Sequence, residues 1–448
     1  MTKPIEPATT RKVNSPESRS TLRLRVCILT TASVNDNPRV VKEADALAAA
    51  GHHVRVIAFR PRTVEGQERD RNVVEGKLWR LDAVQAGRDG VASSIRWLTH
   101  SVLQRAARFF IRHGLRHSSI VDAAISRNRA TLVSRAVAEP ADLIIAHHAA
   151  ALPAAARAAR RIGACLAFDA EDLHSEELPE TPENALDRSI IAATEARYLP
   201  RCHRVTASSQ GIGIELSKRY GIPQPQTILN AFPIEADLPA RRRGRADAPI
   251  SLYWFSQVVG LDRGLQDVIR AMPLVQRRVE LHLRGLVRDD VRASLLTLAS
   301  QLGVGDSVHF HPVAPPPQLP ALASQYDIGL ALEQPVTLNR RLCVTNKLLL
   351  YFTAGIPVVA TDTPGQRAII EAAGGAGVLY PPGDAVALAS AIDTLTETPA
   401  RLEEARRKAR ELGRGALSWE AQAPALLAYL TGTDARPSCA PSTARPGA

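Results

Sequence analysis

From about residue 25 to residue 430, short apolar runs alternate with longer segments whose apolar positions recur at helical spacing. The run RVCILT, Arg25 to Thr30, leads into a polar turn, SVNDN, and then into a segment predicted to be helical from about Pro38 to Ala50. Proline near the start and Gly51 just past the end are the residues that open and close a helix. VRVIAF, Val54 to Phe59, is the next strand, and the three elements make a βαβ unit. Further strands are predicted at Leu143 to Ala146, Cys165 to Asp169, Arg204 to Ala207 and Thr227 to Leu229.

Asp237 to Pro249 interrupts the alternation with proline, glycine and four arginines and reads as a linker. A second alternating series follows, with strands predicted at Ser251 to Phe255, Val279 to Leu283, Ser307 to Phe310, Asp327 to Leu332, Pro357 to Thr361 and Gly377 to Leu379. Strands flanked by helices imply parallel sheets covered on both faces. The fold class is therefore α/β, with two Rossmann-like domains facing a central cleft: one over residues 22–236 and one over 250–415. Residues 1–21 and 434–448, rich in small and polar residues, are expected to be disordered tails.

Composition narrows the picture only in part. Aromatic residues make up 4% of the 448, so Ala, Leu and Val must do most of the packing. The net charge of +11 comes mostly from arginine, since the chain has only seven lysines, and it favours anionic partners. Nucleic acid is not expected, because the arginines are dispersed and no recognition module is present. The five cysteines show no paired spacing, so neither a disulfide framework nor a structural zinc site is expected, which fits a reducing compartment. The N-terminus lacks an apolar signal region and no run of 18 apolar residues occurs, so the expected location is cytoplasmic. Peripheral contact with an anionic membrane is expected through residues 93–120, where arginines alternate with large apolar side chains and no acid occurs. The alternative for that segment is an ordinary surface helix with a buried stripe.

Ligands in open α/β sheets bind beyond the carboxyl ends of the strands, which selects several loops. The first loop carries Asn35, Asp36, Asn37 and Arg39; Asn37 can cap the following helix, and a capped turn with no ligand is the alternative reading. No GxGxxG follows the first strand, which argues against a dinucleotide fingerprint. His147 and His148 end another strand, and FDAEDLHSEE, whose strand ends in Asp169, brings Glu171, Asp172 and His174 to the cleft side. Carboxylates and a histidine so placed can hydrogen-bond or deprotonate a hydroxyl, or form no more than an acidic loop. Their spacing matches no metal-ligand template, so no metal is expected. In the second domain Gln257, Arg263 and Arg284 lie near strand ends, and Glu333 ends another strand. Thr345 and Asn346 can open a helix with Lys347 in its first turn, where a cation opposes the helix dipole unless an anion is bound. Thr363 precedes a further helix start. Two helix starts on one cleft suit a diphosphate and its sugar.

The stretches NPRVVKEADALAAAGHHVRVIA, GLDRGLQDVIRA, VHFHPV and NKLLLYFTAGIPVVATDTPG, in this order, resemble the retaining nucleotide-sugar glycosyltransferases of family four, in group 1, which have the GT-B fold. The resemblance spans Arg25 to about Leu427. It implies a nucleoside diphosphate sugar held by the C-terminal domain through Gln257, Arg263, Arg284, Glu333, Thr345, Asn346, Lys347 and Thr363. It also implies a glycan, lipid-linked or small-molecule acceptor on the N-terminal domain, near Asn35, Asp36, Asn37, Arg39, His147, His148 and His174. Glu171, Asp172 and Arg263 are the implied catalytic groups, the reaction needs no metal or other cofactor, and a last helix within 416–433 crosses back to the first domain. The chain departs from the family pattern at three places. The two family glutamates fall on Leu342 and Leu350, the family arginine falls near Gln257, and the family histidine after Asp169 falls on Glu171. A non-catalytic nucleotide-sugar-binding or scaffold protein, a sugar-nucleotide epimerase and a sugar phosphorylase are the competing readings.

Overall fold

The computed structural model describes residues 23–85, 91–235, 238–239 and 248–432, so the expected tails and most of the expected linker lie outside the described residues. Two sheets organise the chain. The first contains β1 Arg25–Leu29, β2 His53–Phe59, β3 Arg80–Val84, β4 Leu143–His147, β5 Cys165–Ala170, β6 Arg204–Ala207 and β7 Gln226–Thr227, in the order β3-β2-β1-β4-β5-β6-β7. The second contains β8 Ile250–Val259, β9 Val279–Val287, β10 Val308–His311, β11 Ile328–Ala331, β12 Val358–Thr361 and β13 Gly377–Tyr380, in the order β10-β9-β8-β11-β12-β13. The pairings are parallel in both. Strand order reverses between β1 and β4 and again between β8 and β11, and a crevice for ligand opens at such a switch point.

The strands are apolar on both faces because helices cover both. Ile144 and Ala146 of β4 pack with Leu166 and Phe168 on one side, while Leu143 and Ile145 pack with Val26 and Ile28 on the other. The helix Leu152–Ile162 covers the first of these faces with Ala154, Ala155, Ala158 and Ala159, all buried. Small side chains let it lie close to the sheet, which is how a core with few aromatics reaches normal density.

The expected strands are present, with differences that have local causes. β3 was not anticipated: RLDAV is a mostly half-exposed edge strand with only Val84 fully buried, so its pattern is weak. β7 starts one residue earlier than expected and is only two residues long. β8 and β9 run past Phe255 and Leu283 and keep pairing to Val259 and Val287 across a bulge between Phe255 and Val258. Gly285 allows this, since a Cβ there would sit 2.5 Å from the Ser256 carbonyl oxygen. Gln257 therefore belongs to the strand extension and not to the loop after it.

The last helix, Trp419–Thr431, returns to the N-terminal domain, where Trp419, Leu426 and Leu430 join the cluster beneath Val26 and Ile28. The Trp419 N–H donates to the Phe232 carbonyl at 2.8 Å, Gln422 Oε1 accepts from the Leu229 N–H at 3.0 Å, and the Glu420 carboxylate accepts from the Ile234 N–H at 3.0 and 3.1 Å. Cys27, Cys202 and Cys343 are free thiols. Among the described residues no helix is long and apolar enough to cross a membrane.

Candidate active site

The floor of the N-terminal side is a buried ionic network. Asn37 caps the helix Pro38–Ala49, its Oδ1 accepting from the Val40 N–H at 3.1 Å, and this aims Arg39 inward. The Arg39 guanidinium donates to both Asp169 oxygens, at 2.6 and 2.8 Å, and to the Ile228 carbonyl at 2.8 Å. One turn along, Glu43 meets His147 Nε2 at 2.6 Å, while His147 Nδ1 lies 3.4 Å from Asp169 and Thr206 Oγ1 donates to Asp169. Burial opposes the charge on Asp169, but Arg39, His147 and Thr206 together hold its carboxyl well below the usual range. Burial likewise opposes a charge on His147, and Glu43 outweighs it and raises the imidazole. Arg39 and His147, implied to touch the acceptor, are 2% and 1% exposed. They lie beneath the cleft surface and brace the end of β5.

The loop after β5 rises from this floor. Glu171 Oε1 accepts from Asn230 Nδ2 at 3.2 Å, and Asp172 Oδ1 accepts from Asn339 Nδ2 at 2.8 Å. Burial raises both carboxyls above their ordinary values. Asn230 Oδ1 also accepts from Lys42 Nζ at 2.6 Å, and burial pushes that ammonium down to about 7. His174 is buried; Glu177, 3.3 Å away, with Asp172 and Glu195, overcomes the cost of burial and pushes it up to about 9. His148 stands 5.9 Å from it, ring centre to ring centre, and burial with the neighbouring histidines pushes it down to about 4. His148 also has φ 65°, the only positive value at a non-glycine among the described residues. Strain of this kind at a strand mouth is held by the surrounding structure and clusters at functional sites. The first loop closes the rim: Ser33 Oγ donates to Asp36 at 2.6 Å, and Asn35 Nδ2 donates to the same carboxylate at 3.3 Å.

The C-terminal side gathers cations at the β8–β11 switch. Gly264, at φ 73°, follows the turn Leu261–Arg263, and a Cβ there would lie 2.5 Å from the Gln334 amide nitrogen and 2.9 Å from the Leu332 carbonyl oxygen. This close approach sets Arg263 beside the end of β11. Arg263 Nε is 3.6 Å from Asp262, and Arg340 Nη2 is 3.8 Å from the same exposed carboxylate. Glu333 accepts from Lys347 Nζ at 2.6 Å and from Thr345 Oγ1 at 3.2 Å. Against the cost of burial, Lys347 and Thr345 hold Glu333 below its ordinary value, with Arg340 adding to the effect. The lysine that looked mismatched to the helix dipole thus has a carboxylate partner inside the protein. Thr363 is buried as the cap of the helix Pro364–Ala372, accepting from the Gln366 N–H at 3.4 Å, and Asn346 is exposed at its helix start. Gly365 lets this helix start pass close to Leu342 and Cys343, whose carbonyl oxygens would lie 2.5 and 2.2 Å from a Cβ. Arg284 points to the face of the sheet, donating to Tyr253 Oη at 3.0 Å and to the Pro312 carbonyl at 2.9 Å.

Glu171, Asp172, His148 and His174 thus come together on one wall, and Arg263, Lys347, Thr345 and Glu333 on the other. Arg39, His147, Thr363 and Arg284 are engaged within the protein. Sequence reasoning missed Asn339, Arg340, Asn230 and Glu177. The segment TLNRRL offers a helix cap at Thr337 and nothing that points across a domain boundary. Leu350, at one family glutamate position, is fully buried, and Leu342, at the other, packs against Gly211 of the N-terminal domain.

Residues 37–231 match the family described as glycosyl transferase 4-like domain, and residues 251–398 match glycosyl transferases group 1. No curated protein matches the chain. Among solved structures, Anabaena HepE in complex with UDP is similar over 91% of this chain and 99% of its own, with 16% identity and a TM-score of 0.65. Sucrose-phosphate synthase from Thermosynechococcus elongatus is similar over 90% and 97%, with 18% identity and a TM-score of 0.65. A mutant of S. aureus TarM, in complex with fondaparinux, α-GlcNAc-glycerol and UDP, is similar over 92% and 100%, with 9% identity and a TM-score of 0.63. These likenesses agree with the two-sheet architecture. With both halves matched in order along the sequence, the chain belongs to the group 1, family-4-like glycosyltransferases of the GT-B fold, enzymes that move a sugar from a nucleoside diphosphate to an acceptor.

Proposed function

We propose that the protein transfers a sugar from a nucleoside diphosphate sugar to an acceptor hydroxyl with retention of configuration, in the synthesis of a cell-envelope or exported glycan on the cytoplasmic side of the membrane. The observation that carries this is the gathering of Arg263, Arg340 and Lys347 at the β8–β11 switch, facing the Glu171–Asp172 loop. As the glycosidic bond breaks, negative charge grows on the β-phosphate oxygen. Preorganised cations and N–H groups stabilise that charge more than they stabilise the bound donor, which lowers the barrier. The leaving phosphate takes the proton of an acceptor that attacks from the same face, and Glu171 or Asp172 orients the acceptor hydroxyl. Cationic side chains supply the neutralisation that a divalent ion would otherwise bring. Glu333 takes the donor-facing role left by Leu342 and Leu350.

The helix Val91–Arg112 supports membrane contact. Ile95, Leu98, Val102 and Phe109 lie along one exposed face, with Arg105 and Arg112 beside them, while Ala107 and Ile111 pack inward. A face of this kind suits the interface of an anionic bilayer. Flotation with anionic vesicles, lost in a Leu98→Glu, Phe109→Glu variant, is the expected result; no preference for anionic vesicles would remove this part of the reading.

The function is tested by thermal unfolding with UDP, GDP, ADP, TDP and CMP, with and without magnesium, followed by turnover of the matching sugar donors. A ligand that binds only the folded state raises the unfolding midpoint, so one nucleoside diphosphate is expected to do so without magnesium. Stabilisation without turnover of any donor would favour a binding or scaffold role.

A further inference from the structure

At the edge of the C-terminal sheet, away from the cleft cations, β9 and β10 set polar side chains against one another. Glu280 and His282 alternate on β9, and His309 and His311 alternate on β10, with His309 in register with His282. Their neighbours Leu281, Leu283 and Val308 point to the opposite face and into the core, so the period of 2 puts the four polar groups on one side. His282 and His309 stack with ring centres 4.8 Å apart. His282 Nδ1 and His311 Nε2 share a hydrogen bond of 3.1 Å, which fixes the orientation of the His282 ring. Held this way, His282 Nε2 faces Glu280 Oε2 at 3.6 Å, and His309 Nε2 faces the same oxygen at 3.9 Å.

These separations are too long for hydrogen bonds. They are close to the ligand–ligand edge of about 3.3 Å that follows from metal bonds of about 2.0–2.1 Å in tetrahedral geometry. One ligand atom from each of Glu280, His282 and His309 lies within 4.8 Å of the other two. We propose that Glu280, His282 and His309 form a site for a borderline-soft divalent transition metal of the zinc class, with solvent completing the coordination. Two imidazoles and a carboxylate are a donor set that zinc accepts. His311 acts behind the site, holding the His282 ring as outer-shell partners do in metal centres. A bound ion would tie the edge strand β10 to β9 by side-chain bonds in addition to the ladder. It is a structural site, separate from the transfer chemistry.

The test is calorimetric titration of tag-free, chelator-treated full-length protein with zinc chloride at pH 7.5, repeated with cobalt(II) and its visible absorption. The expected result is one equivalent bound, with cobalt bands of a low-coordinate nitrogen and oxygen site. Affinity should fall about tenfold or more in His311→Ala and further in His309→Ala, which removes a ligand. His309 lies half-exposed on an edge strand, so His309→Ala should fold, and circular dichroism checks this. A His174→Asn variant, which alters the other partly exposed His and carboxylate group, should titrate as wild type. Absence of stoichiometric binding, or binding that follows His174 and ignores His309, would overturn the proposal.

Discussion

Asn339 of the C-terminal domain holds Asp172 of the N-terminal domain: its Nδ2 donates to Asp172 Oδ1 at 2.8 Å, and its Oδ1 accepts from the neighbouring Leu173 N–H at 2.8 Å. One side chain therefore reads both the backbone and the carboxylate of the loop that faces the cleft. The positions of Asp172 and Arg340 are linked through it, because Arg340 follows Asn339 in the chain.

Replacing Asn339 by Ala removes two hydrogen bonds, each with a net worth of about 1 kcal/mol. The expected outcome is a fall in kcat/KM of about tenfold with little change in the unfolding midpoint, since each domain keeps its own core. Asn339→Asp sets a second carboxylate against Asp172 and should lose more. Steady-state kinetics with the stabilising donor checks this, and equal activity in both variants would show that the contact is incidental.

Arg263→Ala should lower kcat/KM by about 10²-fold, with much of the loss in kcat, because charge on the leaving phosphate peaks in the transition state. Arg263→Lys keeps the charge and should recover part of it. If kcat/KM were unchanged in Arg263→Ala, the phosphate role would be misassigned.

Asp169→Asn leaves Arg39 buried without its counter-ion, and breaking such a pair costs about 3–5 kcal/mol. The expected result is a large drop in thermal midpoint or a failure to fold. The Asp169 carboxyl is depressed in the folded state, so its stabilisation is present above the usual carboxylate range and is lost as pH falls below it. Wild type should therefore lose stability more steeply toward acid than Asp169→Asn. Parallel acid-side unfolding curves for the two proteins would contradict this account.

His174, held at about 9, works in the other direction. A raised imidazole contributes stability fully present below its unfolded value of about 6.5 and lost as pH rises toward 9. Lys42 opposes this, because its folded value near 7 lies below the ordinary one and makes stability rise with pH above that point. The readout is therefore the difference between wild type and His174→Asn, which should shrink from pH 6.5 to 9. A constant difference across that range would show that His174 does not titrate with Glu177 as its partner.

Much of this protein could be read along the chain. Apolar runs such as VRVIAF and PVVA, preceded by helix stops at Gly51 and Gly355, are local signals, and they established two parallel α/β domains and the strand ends that carry the candidate site. The Asn37 cap and the return of the last helix were also legible, the latter through family resemblance. β3 was hidden because an edge strand buries little and so carries little pattern. The strand extension at Gln257 was hidden because a bulge and Gly285 create it.

The partners of the charged residues were decided only in three dimensions. Arg39 and Asp169 are 130 positions apart, yet folding brings them within 2.6 Å and makes an apparent cleft residue, Arg39, part of a buried foundation under the end of β5. Lys347, exceptional by the helix-dipole rule, is answered by Glu333, and Asp172 by an asparagine in the other domain. A sequence determines which side chains are available and which strand ends carry them, because those depend on neighbours along the chain. Whether a carboxylate faces a substrate or a buried arginine depends on contacts between distant segments, and these are set by how the two sheets pack.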